Sequence, residues 1–370
     1  MQQPPLAAAG GAYLGAETKQ GASKIATACL PTIHLKRATP PLLLFLCLST
    51  NISSCQTNFI VGSKVASLRK EITMSQKFIV GAYASMPDTN KQDEYYRLLG
   101  QLDWVNGIEI PYPGDLADNA TWLAERLCPQ WDSNTITAIP GTMQNLGKNP
   151  LFGLACADEE GRGLAIAQAK QISEVARELS DYLGHVAVSK VQVHSAPTRL
   201  ADASAFRTSL EELKELDWGG ATIVVEHCDR FIKEQPPEKG FLSLKEEIEI
   251  CRTLGLKIHI NWGRSAVEGR SAATPYEHIL EAGRSGVLAG VFFSGAGSQE
   301  CAYGYAWIDG HLPSQPDEPS SLMSEEEISR CSKAAIRGGA KYLGAKICVP
   351  KDAPLEQRIR MLKTIYNATR

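Results

Sequence analysis

The chain after Met74 alternates short apolar segments with longer amphipathic ones, and this rhythm constrains its fold more than any other feature. The apolar or β-branched segments cover residues 78–84, 105–110, 135–139, 188–194, 221–226, 256–261, 287–293 and 341–348. Between and after them lie eight stretches with the 3.6-residue period of helices, clearest at residues 160–183, 244–254 and 325–337. Strict alternation of strand and helix requires a parallel sheet.

The number of repeats favours closure of this sheet into a barrel. A (β/α)₈ barrel needs roughly 250 residues, and residues 74–370 supply them. An open doubly wound sheet more often has a glycine fingerprint after its first strand, whereas Ser85-Met86-Pro87-Asp88 stands there in this chain. We therefore predict an α/β fold consisting of a single-domain (β/α)₈ TIM barrel over residues 74–370.

Residues 1–73 have a different composition, rich in Ala, Gly, Ser, Thr and Pro, from which no core can be built. The apolar run at residues 41–48 follows Lys36 and Arg37, but a bilayer span needs about 20 apolar residues. We interpret this segment as a low-complexity N-terminal extension, either disordered or an over-extended reading frame with the true start at Met74. A cleaved targeting segment is the competing interpretation.

Charge and cysteine content narrow the classes of partner. The formal net charge of −3 offers no concentrated basic face, so we expect no nucleic-acid or membrane partner and favour a small-molecule ligand. The 10 cysteines are scattered without a CxxC pair, which argues against a zinc cage or redox dithiol and predicts reduced thiols in the cytoplasm. The oligomeric state stays open, a homo-oligomer included.

Loop lengths locate the predicted site at one end of the barrel. Connections entering strands are brief, whereas those leaving strands are long at residues 140–158, 227–243, 262–274 and 294–324. Long loops without their own secondary structure are usually functional. All such loops open at the carboxyl ends of the strands, where the chemistry of these barrels is found.

The alternation of side chains along each strand sorts the polar residues. Apolar positions must pack under the helices, which turns the intervening positions into the barrel. The residues predicted to point inward are Glu109, Gln192, His194, Glu226, His259, Asn261 and Lys346. Each alone has a structural explanation as a member of a buried hydrogen-bond network. Together, the two carboxylates, two imidazoles and one ammonium among them would cost several kcal/mol in desolvation unless they pair with one another or with a ligand. We therefore expect at least three of these five to contact substrate.

Weaker signals lie in the loops. Ser294 begins a Gly-rich turn that could cradle a phosphate on backbone amides, although a plain tight turn is the favoured interpretation. Arg264 and Arg270 could clamp a carboxylate or phosphate, or be solvated loop charges. Trp262 and Trp307 suit stacking against a sugar ring, but either could equally pack within a loop.

Two strand endings resemble those of a known group. The Gly107-Ile108-Glu109-Ile110 and Val224-Val225-Glu226-His227 segments are similar to recurrent motifs of the xylose isomerase-like barrels. That group includes sugar isomerases, ketose 3-epimerases, hydroxypyruvate isomerase and an endonuclease branch. More closely, the chain looks like an uncharacterised bacterial family of such barrels that carries only a domain-of-unknown-function label.

The resemblance raises the question of whether this chain binds a metal ion. Metal-dependent epimerases of the group hold a divalent cation with carboxylates and a His near the ends of the fifth to eighth strands, and Glu226 matches the first of these positions. Asn261 replaces the sixth-strand carboxylate, the seventh strand ends without a His, and Lys346 replaces the eighth-strand acid. We therefore favour no metal and no cofactor. The alternative is Mn or Zn bound by Glu226, His194 and His259.

The preferred hypothesis is a sugar or sugar-acid isomerase or epimerase that transfers a proton next to a carbonyl. This chemistry needs a base, an acid and a positive group beside the developing oxyanion. Glu226 and Glu109 would be base and acid, Lys346 the electrostatic element, and His194 or His259 would orient hydroxyls.

Two further hypotheses stay open. Lys346 could form a Schiff base, as in an aldolase-type lyase, or the chain could be a non-catalytic carbohydrate-binding barrel. An endonuclease is disfavoured because no basic groove is available for a phosphate backbone.

Overall fold

The computed structural model describes residues 76–370, apart from the side chains of residues 115 and 117–119. The N-terminal extension that the sequence predicts lies outside the described residues.

Eight parallel strands close into a barrel in chain order, which confirms the predicted fold. Closure comes from the pairing of the first strand with the eighth, in register from Lys77 opposite Tyr342 to Val80 opposite Ala345. The strands are β1 (Lys77–Val80), β2 (Gly107–Pro111), β3 (Thr135–Thr137), β4 (Lys190–Val193), β5 (Thr222–His227), β6 (Lys257–Asn261), β7 (Leu288–Phe293) and β8 (Tyr342–Ala345).

The predicted amphipathic stretches form helices around this barrel. The long helix predicted at residues 160–183 begins one residue earlier, because the Asp158 side chain accepts a hydrogen bond from Gly161 N and caps it. The helices are α1 (Gln92–Gly100), α2 (Gly114–Ala124), α3 (Ile139–Leu146), α4 (Glu159–Leu183), α5 (Ala203–Lys214), α6 (Leu244–Leu254), α7 (Trp262–Gly269), α8 (Thr274–Arg284), α9 (Glu325–Arg337) and α10 (Leu355–Ala368). Among residues 76–370, no helix combines the length and apolar character needed to cross a bilayer.

Helices α3 and α7 correct the loop predictions, because they lie in segments expected to have no secondary structure. Each has eight residues, which is too short for a helical period to stand out. Helix α7 begins directly after β6 because Asn261 Oδ1 accepts hydrogen bonds from Gly263 N at 3.1 Å and from Arg264 N at 3.4 Å. This cap fixes the direction in which Arg264 leaves the strand.

Each face of the barrel wall carries its own apolar core. Val191 and Ile223 belong to the main core between the strands and the helices. A smaller core inside the barrel consists of Ile79, Val224, Ala289, Phe292 and Tyr342. This inner core supports the polar residues at the carboxyl ends of the strands.

Lys190 enters the lower part of the same lumen. Its Nζ lies 4.6 Å from the centre of the Tyr342 ring and donates to Ser189 Oγ at 2.7 Å. Burial lowers the pKa of Lys190 from 10.5 to about 8. Between these two values the unfolded chain binds more protons than the folded one, so the charge of Lys190 costs stability at neutral pH, and that cost disappears as the pH rises through this window.

We expect Lys190→Met to raise the free energy of unfolding at pH 7 by about 1–3 kcal/mol, because the substitution removes a desolvated charge. The gain should shrink towards pH 10.5, where the unfolded lysine also loses its proton. Urea unfolding at both pH values measures the difference between variant and parent. Lys363→Met on the exposed side of α10 is the control and should show no such pH dependence. An equal gain at both pH values would contradict the expectation.

Candidate active site

Five ionisable side chains predicted from strand alternation meet at the carboxyl end of the barrel. Each is at most 2% exposed, and they come from β2, β5, β6 and the positions that directly follow β4 and β8. They are Glu109, His194, Glu226, His259 and Lys346.

Glu226 has a positively charged or hydrogen-bonding neighbour at each carboxylate oxygen. His194 Nε2 lies 2.7 Å from Oε2, and Arg264 Nη1 lies 2.7 Å from Oε1. Burial opposes ionisation of this carboxyl, but the charges of Arg264 and Lys346 hold the pKa of Glu226 well below its usual range. Glu226 is therefore a carboxylate.

Arg264 connects this carboxylate to two long loops. It leaves the first turn of α7, and its Nε lies 3.2 Å from Asp309 Oδ2 in the loop after β7. Lys239 Nζ, in the loop after β5, lies 3.0 Å from the same Asp309 oxygen. The resulting buried cluster alternates carboxylates and cations, which balances charges that would be costly alone.

Glu109 and Lys346 form a second buried ion pair. Lys346 Nζ lies 3.1 Å from Glu109 Oε2 and 5.0 Å from the centre of the Tyr83 ring. Burial raises the pKa of Glu109, whereas Lys346 opposes that rise. Burial disfavours the ammonium of Lys346, but the neighbouring Glu109 raises the pKa of Lys346 above its usual value. Lys346 is therefore an ammonium.

Space for Lys346 depends on Gly81, directly after β1. A Cβ at Gly81 would lie 2.7 Å from Lys346 Cβ, 2.8 Å from its Cγ and 3.0 Å from its Cα. Since the last of these is backbone, rotation of the lysine side chain cannot relieve the contact. The lack of a side chain at Gly81 thus leaves space for Lys346.

We expect Gly81→Ala to lower the free energy of unfolding by about 1–3 kcal/mol, the usual cost of overpacking. Gly163→Ala is the matched control, because a Cβ there meets nothing within 4 Å. In the interior of α4 that change should be neutral or stabilise by about 0.5–1 kcal/mol. Thermal and urea unfolding of both variants test the contrast, and a Gly81→Ala variant as stable as the parent would contradict it.

His259 stands between aromatic rings. Its Nδ1 lies 3.0 Å from the Tyr342 hydroxyl, and its ring meets Phe292 edge-on at a centroid distance of 4.5 Å. Burial lowers the pKa of His259 to about 3, and burial also lowers that of His194. Both imidazoles are therefore neutral at physiological pH and can donate from one nitrogen and accept at the other.

Several buried polar atoms have no hydrogen-bond partner within residues 76–370. They include Thr137 Oγ1, both side-chain amide atoms of Gln192, His194 Nδ1 and His259 Nε2. Buried polar groups in folded proteins are nearly always hydrogen-bonded. Their concentration beside the two ion pairs indicates a site for a small ligand with several hydrogen-bonding groups.

The structure does not bring Trp262 or Arg270 to this group, which corrects their expected contact with substrate. Trp262 is fully buried in the core between barrel and helices. Arg270 ends α7 in a left-handed conformation and donates to Pro236 O at 3.0 Å and to Trp307 O at 3.5 Å. The expected Arg264–Arg270 clamp is therefore absent from the described chain, because α7 separates the two residues.

Asn261 and Ser294 lie at the site but are occupied by local contacts. The side-chain oxygen of Asn261 accepts a hydrogen bond from the first turn of α7, while its Nδ2 has no partner among the described residues. Ser294 Oγ lies 2.7 Å from His311 Nδ1. Gly295 exchanges two backbone hydrogen bonds with Leu312, of 2.8 and 3.0 Å. This pairing favours the tight-turn interpretation of the segment over a phosphate cradle.

Three residues of the buried cluster escaped the sequence analysis. Lys239, Asp309 and His311 come from the long loops after β5 and β7. Strand alternation says nothing about loop residues. The available signal was the predicted functional importance of these long loops, in the second of which Asp309 and His311 flank a glycine.

The residues around Glu226 do not fit a divalent cation. A cation would need free carboxylate oxygens, but Arg264 and His194 occupy both oxygens of Glu226 and, being fully buried, cannot turn away into solvent. The ammonium of Lys346 also stands where the resemblance placed an acidic ligand. The Glu226, His194 and His259 set is therefore a poor metal site in this arrangement.

Sequence comparison places the chain in a family. The model described as "Domain of unknown function (DUF4862)" matches residues 79–361. The chain belongs to this family. Its relative in Salmonella typhimurium strain LT2, "Uncharacterized protein STM3670", is 31% identical over 305 residues, which cover 78% of this chain and 96% of that protein.

One solved structure supports the fold and another is similar at a lower level. A "xylose isomerase-like TIM barrel/4-hydroxyphenylpyruvate dioxygenase fusion protein" is 14% identical with a TM-score of 0.54, over 80% of this chain and 44% of that one. This chain thus spans less than half the length of the fusion protein. A D-psicose 3-epimerase crystallised with D-fructose is 12% identical with a TM-score of 0.48, over 80% and 96% of the two chains. The relation to an uncharacterised family is confirmed, and the likeness to the xylose isomerase-like TIM barrel of the fusion protein is one of fold.

Proposed function

We propose that this chain is an isomerase or epimerase of a sugar or sugar acid, and that it moves a proton at a carbon next to a carbonyl group. One observation carries the proposal. The ionised Glu226, paired with Arg264 at 2.7 Å, shares a buried lumen with the Glu109–Lys346 pair and with polar atoms that have no hydrogen-bond partner among residues 76–370.

Glu226 is the base in this mechanism. It takes the proton from the carbon beside the carbonyl, and the electron pair of the broken C–H bond moves onto the carbonyl oxygen as an enediolate. Lys346 and Arg264 stabilise that negative charge electrostatically. Glu109, the carboxylate of the Lys346 ion pair, accepts the second proton from a substrate hydroxyl and later returns it, which its raised pKa favours. Return of a proton to the neighbouring carbon or the opposite face completes the reaction without an oxidant or reductant.

We propose that the reaction is metal-independent. The guanidinium of Arg264 and the ammonium of Lys346 provide the positive charges that a cation would otherwise supply. The neutral His194 and His259, with Gln192, would orient the substrate hydroxyls through their free hydrogen-bonding atoms.

The ion pair of Lys346 weighs against the Schiff-base alternative. A lysine must lose its proton before it attacks a carbonyl, and Glu109 at 3.1 Å favours the ammonium. The fold itself hosts many unrelated chemistries. Only a measurement of turnover therefore distinguishes an enzyme from a barrel that binds a carbohydrate without catalysis.

Solvent-exchange NMR tests the proposal directly. Chelator-treated protein is incubated in D₂O with aldoses, ketoses, sugar acids and their phosphates, and the proton signal next to each carbonyl is followed. We expect one substrate class to lose that signal catalytically. Saturable binding of such compounds with no exchange would favour the non-catalytic barrel, and activity that appears only when a divalent metal is restored would overturn the metal-independent mechanism.

A further inference from the structure

A second group of ionisable side chains lies on the opposite side of the barrel wall. His227 ends β5 and points away from the lumen, towards the helices that follow. Its Nε2 lies 3.2 Å from Glu268 Oε2 on α7, and His278 Nε2 on α8 lies 3.6 Å from Glu268 Oε1. The three side chains can each offer one ligand atom, and these atoms all lie within 4.8 Å of one another.

The other ring nitrogens of the two histidines already have partners. His227 Nδ1 lies 2.7 Å from Glu247 Oε2 on α6, and Glu247 in turn accepts from Ser195 Oγ at 2.6 Å. His278 Nδ1 lies 3.0 Å from Ser265 Oγ. Both Nε2 atoms are thereby left facing Glu268. In metal sites, ligating histidines typically use one nitrogen for the ion and the other for a carboxylate, carbonyl or similar partner.

We propose that His227, Glu268 and His278 bind a divalent transition metal of the zinc type, with water as the remaining ligand. Two imidazole nitrogens and one carboxylate oxygen are a donor set that zinc accepts. Magnesium and calcium prefer sites made of oxygen ligands. This site goes beyond the proposed isomerase chemistry, because its three side chains lie outside the lumen and bond, within the described part of the chain, to Glu247, Ser265 and Arg230 instead of to Glu109, Glu226 or Lys346.

Access and charge are compatible with an ion. The side chains of Glu268 and His278 are 7% and 11% exposed, so the group opens towards solvent at one edge. Arg230 covers that edge, with its backbone N 2.9 Å from Glu268 Oε2 and its Nε 3.1 Å from Oε1. Its side chain is 47% exposed and can turn into solvent, while Glu247 and Glu268 balance the charge of the ion.

Direct metal binding tests the site. The full-length chain is treated with a chelator, dialysed and titrated with Zn²⁺ alone, and the visible spectrum of Co²⁺ reports the donor geometry. We expect saturable binding of a single Zn²⁺ and a higher thermal midpoint in its presence. Mg²⁺ at the same concentration should produce neither effect.

Variants separate this site from adventitious binding. Ser265→Ala keeps all three ligands and should weaken Zn²⁺ affinity about 10- to 100-fold, the range seen when a supporting partner of a ligand is lost. His278→Gln should weaken it further. His185→Gln, at an exposed histidine, should leave affinity unchanged. Absence of saturable Zn²⁺ binding by the parent chain, or affinity that survives both Ser265→Ala and His278→Gln, would show that the group is only an ion-pair network.

Discussion

Arg264→Met should lower the free energy of unfolding by about 3–5 kcal/mol, the cost of leaving a buried partner charge uncompensated. Arg264 is 1% exposed and ion-paired with both Glu226 and Asp309. The substitution leaves Lys239 for Asp309, but it removes the ion-pair partner of Glu226 and leaves that carboxylate only the more distant charge of Lys346. Guanidinium chloride unfolding followed by circular dichroism measures the loss.

Two further variants test whether the loss of stability comes from the buried ion pair. Arg270→Met removes a guanidinium at the opposite end of the same helix, one that forms no buried ion pair with an acid among residues 76–370, and we expect a change within about 1 kcal/mol. The double variant Arg264→Met/Glu226→Gln should recover part of the stability lost by Arg264→Met, because the stranded charge disappears. Equal losses for Arg264→Met and Arg270→Met would contradict the importance of the buried pair.

Glu226→Gln should reduce the rate of solvent exchange, as kcat/KM for the identified substrate, by about 10²- to 10⁴-fold, the usual contribution of general acid–base catalysis. Glutamine preserves the shape of the side chain but cannot take a proton from carbon. NMR exchange with the substrate found in the D₂O screen provides the measurement.

The matched control for this loss is Glu178→Gln on the exposed face of α4, which should keep the parental rate. Circular dichroism of Glu226→Gln establishes that the barrel is intact before the rates are compared. Undiminished exchange by folded Glu226→Gln would remove Glu226 from the role of base, whereas reduced ligand binding with unchanged kcat would assign it to substrate binding alone.

The barrel interior was accessible to sequence reasoning because of one strong local rule. Successive side chains of a strand point to opposite faces, so the apolar neighbours of Glu109 and Glu226 determine which way these acids turn. Lys346 follows the same rule one residue beyond β8. Here a periodic constraint acts on every position, and a single sequence is enough to apply it.

The hydrogen-bond and ion-pair partners of these residues could not be predicted in the same way. Asn261 has the predicted strand position, but its short polar side chain bonds to the nearby backbone and starts a helix, as such side chains often do. Asp309 reaches Arg264 only because its loop returns to β7 through the pairing of Gly295 with Leu312. That return depends on tertiary contacts between distant residues, for which the sequence offers no period.

Glu226 and His227 are consecutive residues, although their side chains face opposite sides of the barrel wall. A displacement of the end of β5 therefore moves both side chains together. Substitutions of His278 or Ser265, which lie with His227 on the helix side of the barrel wall, should therefore change the position of the Glu226 carboxylate. A search for activity-changing substitutions in this protein would have to include the helical layer behind β5 as well as the residues that face a substrate.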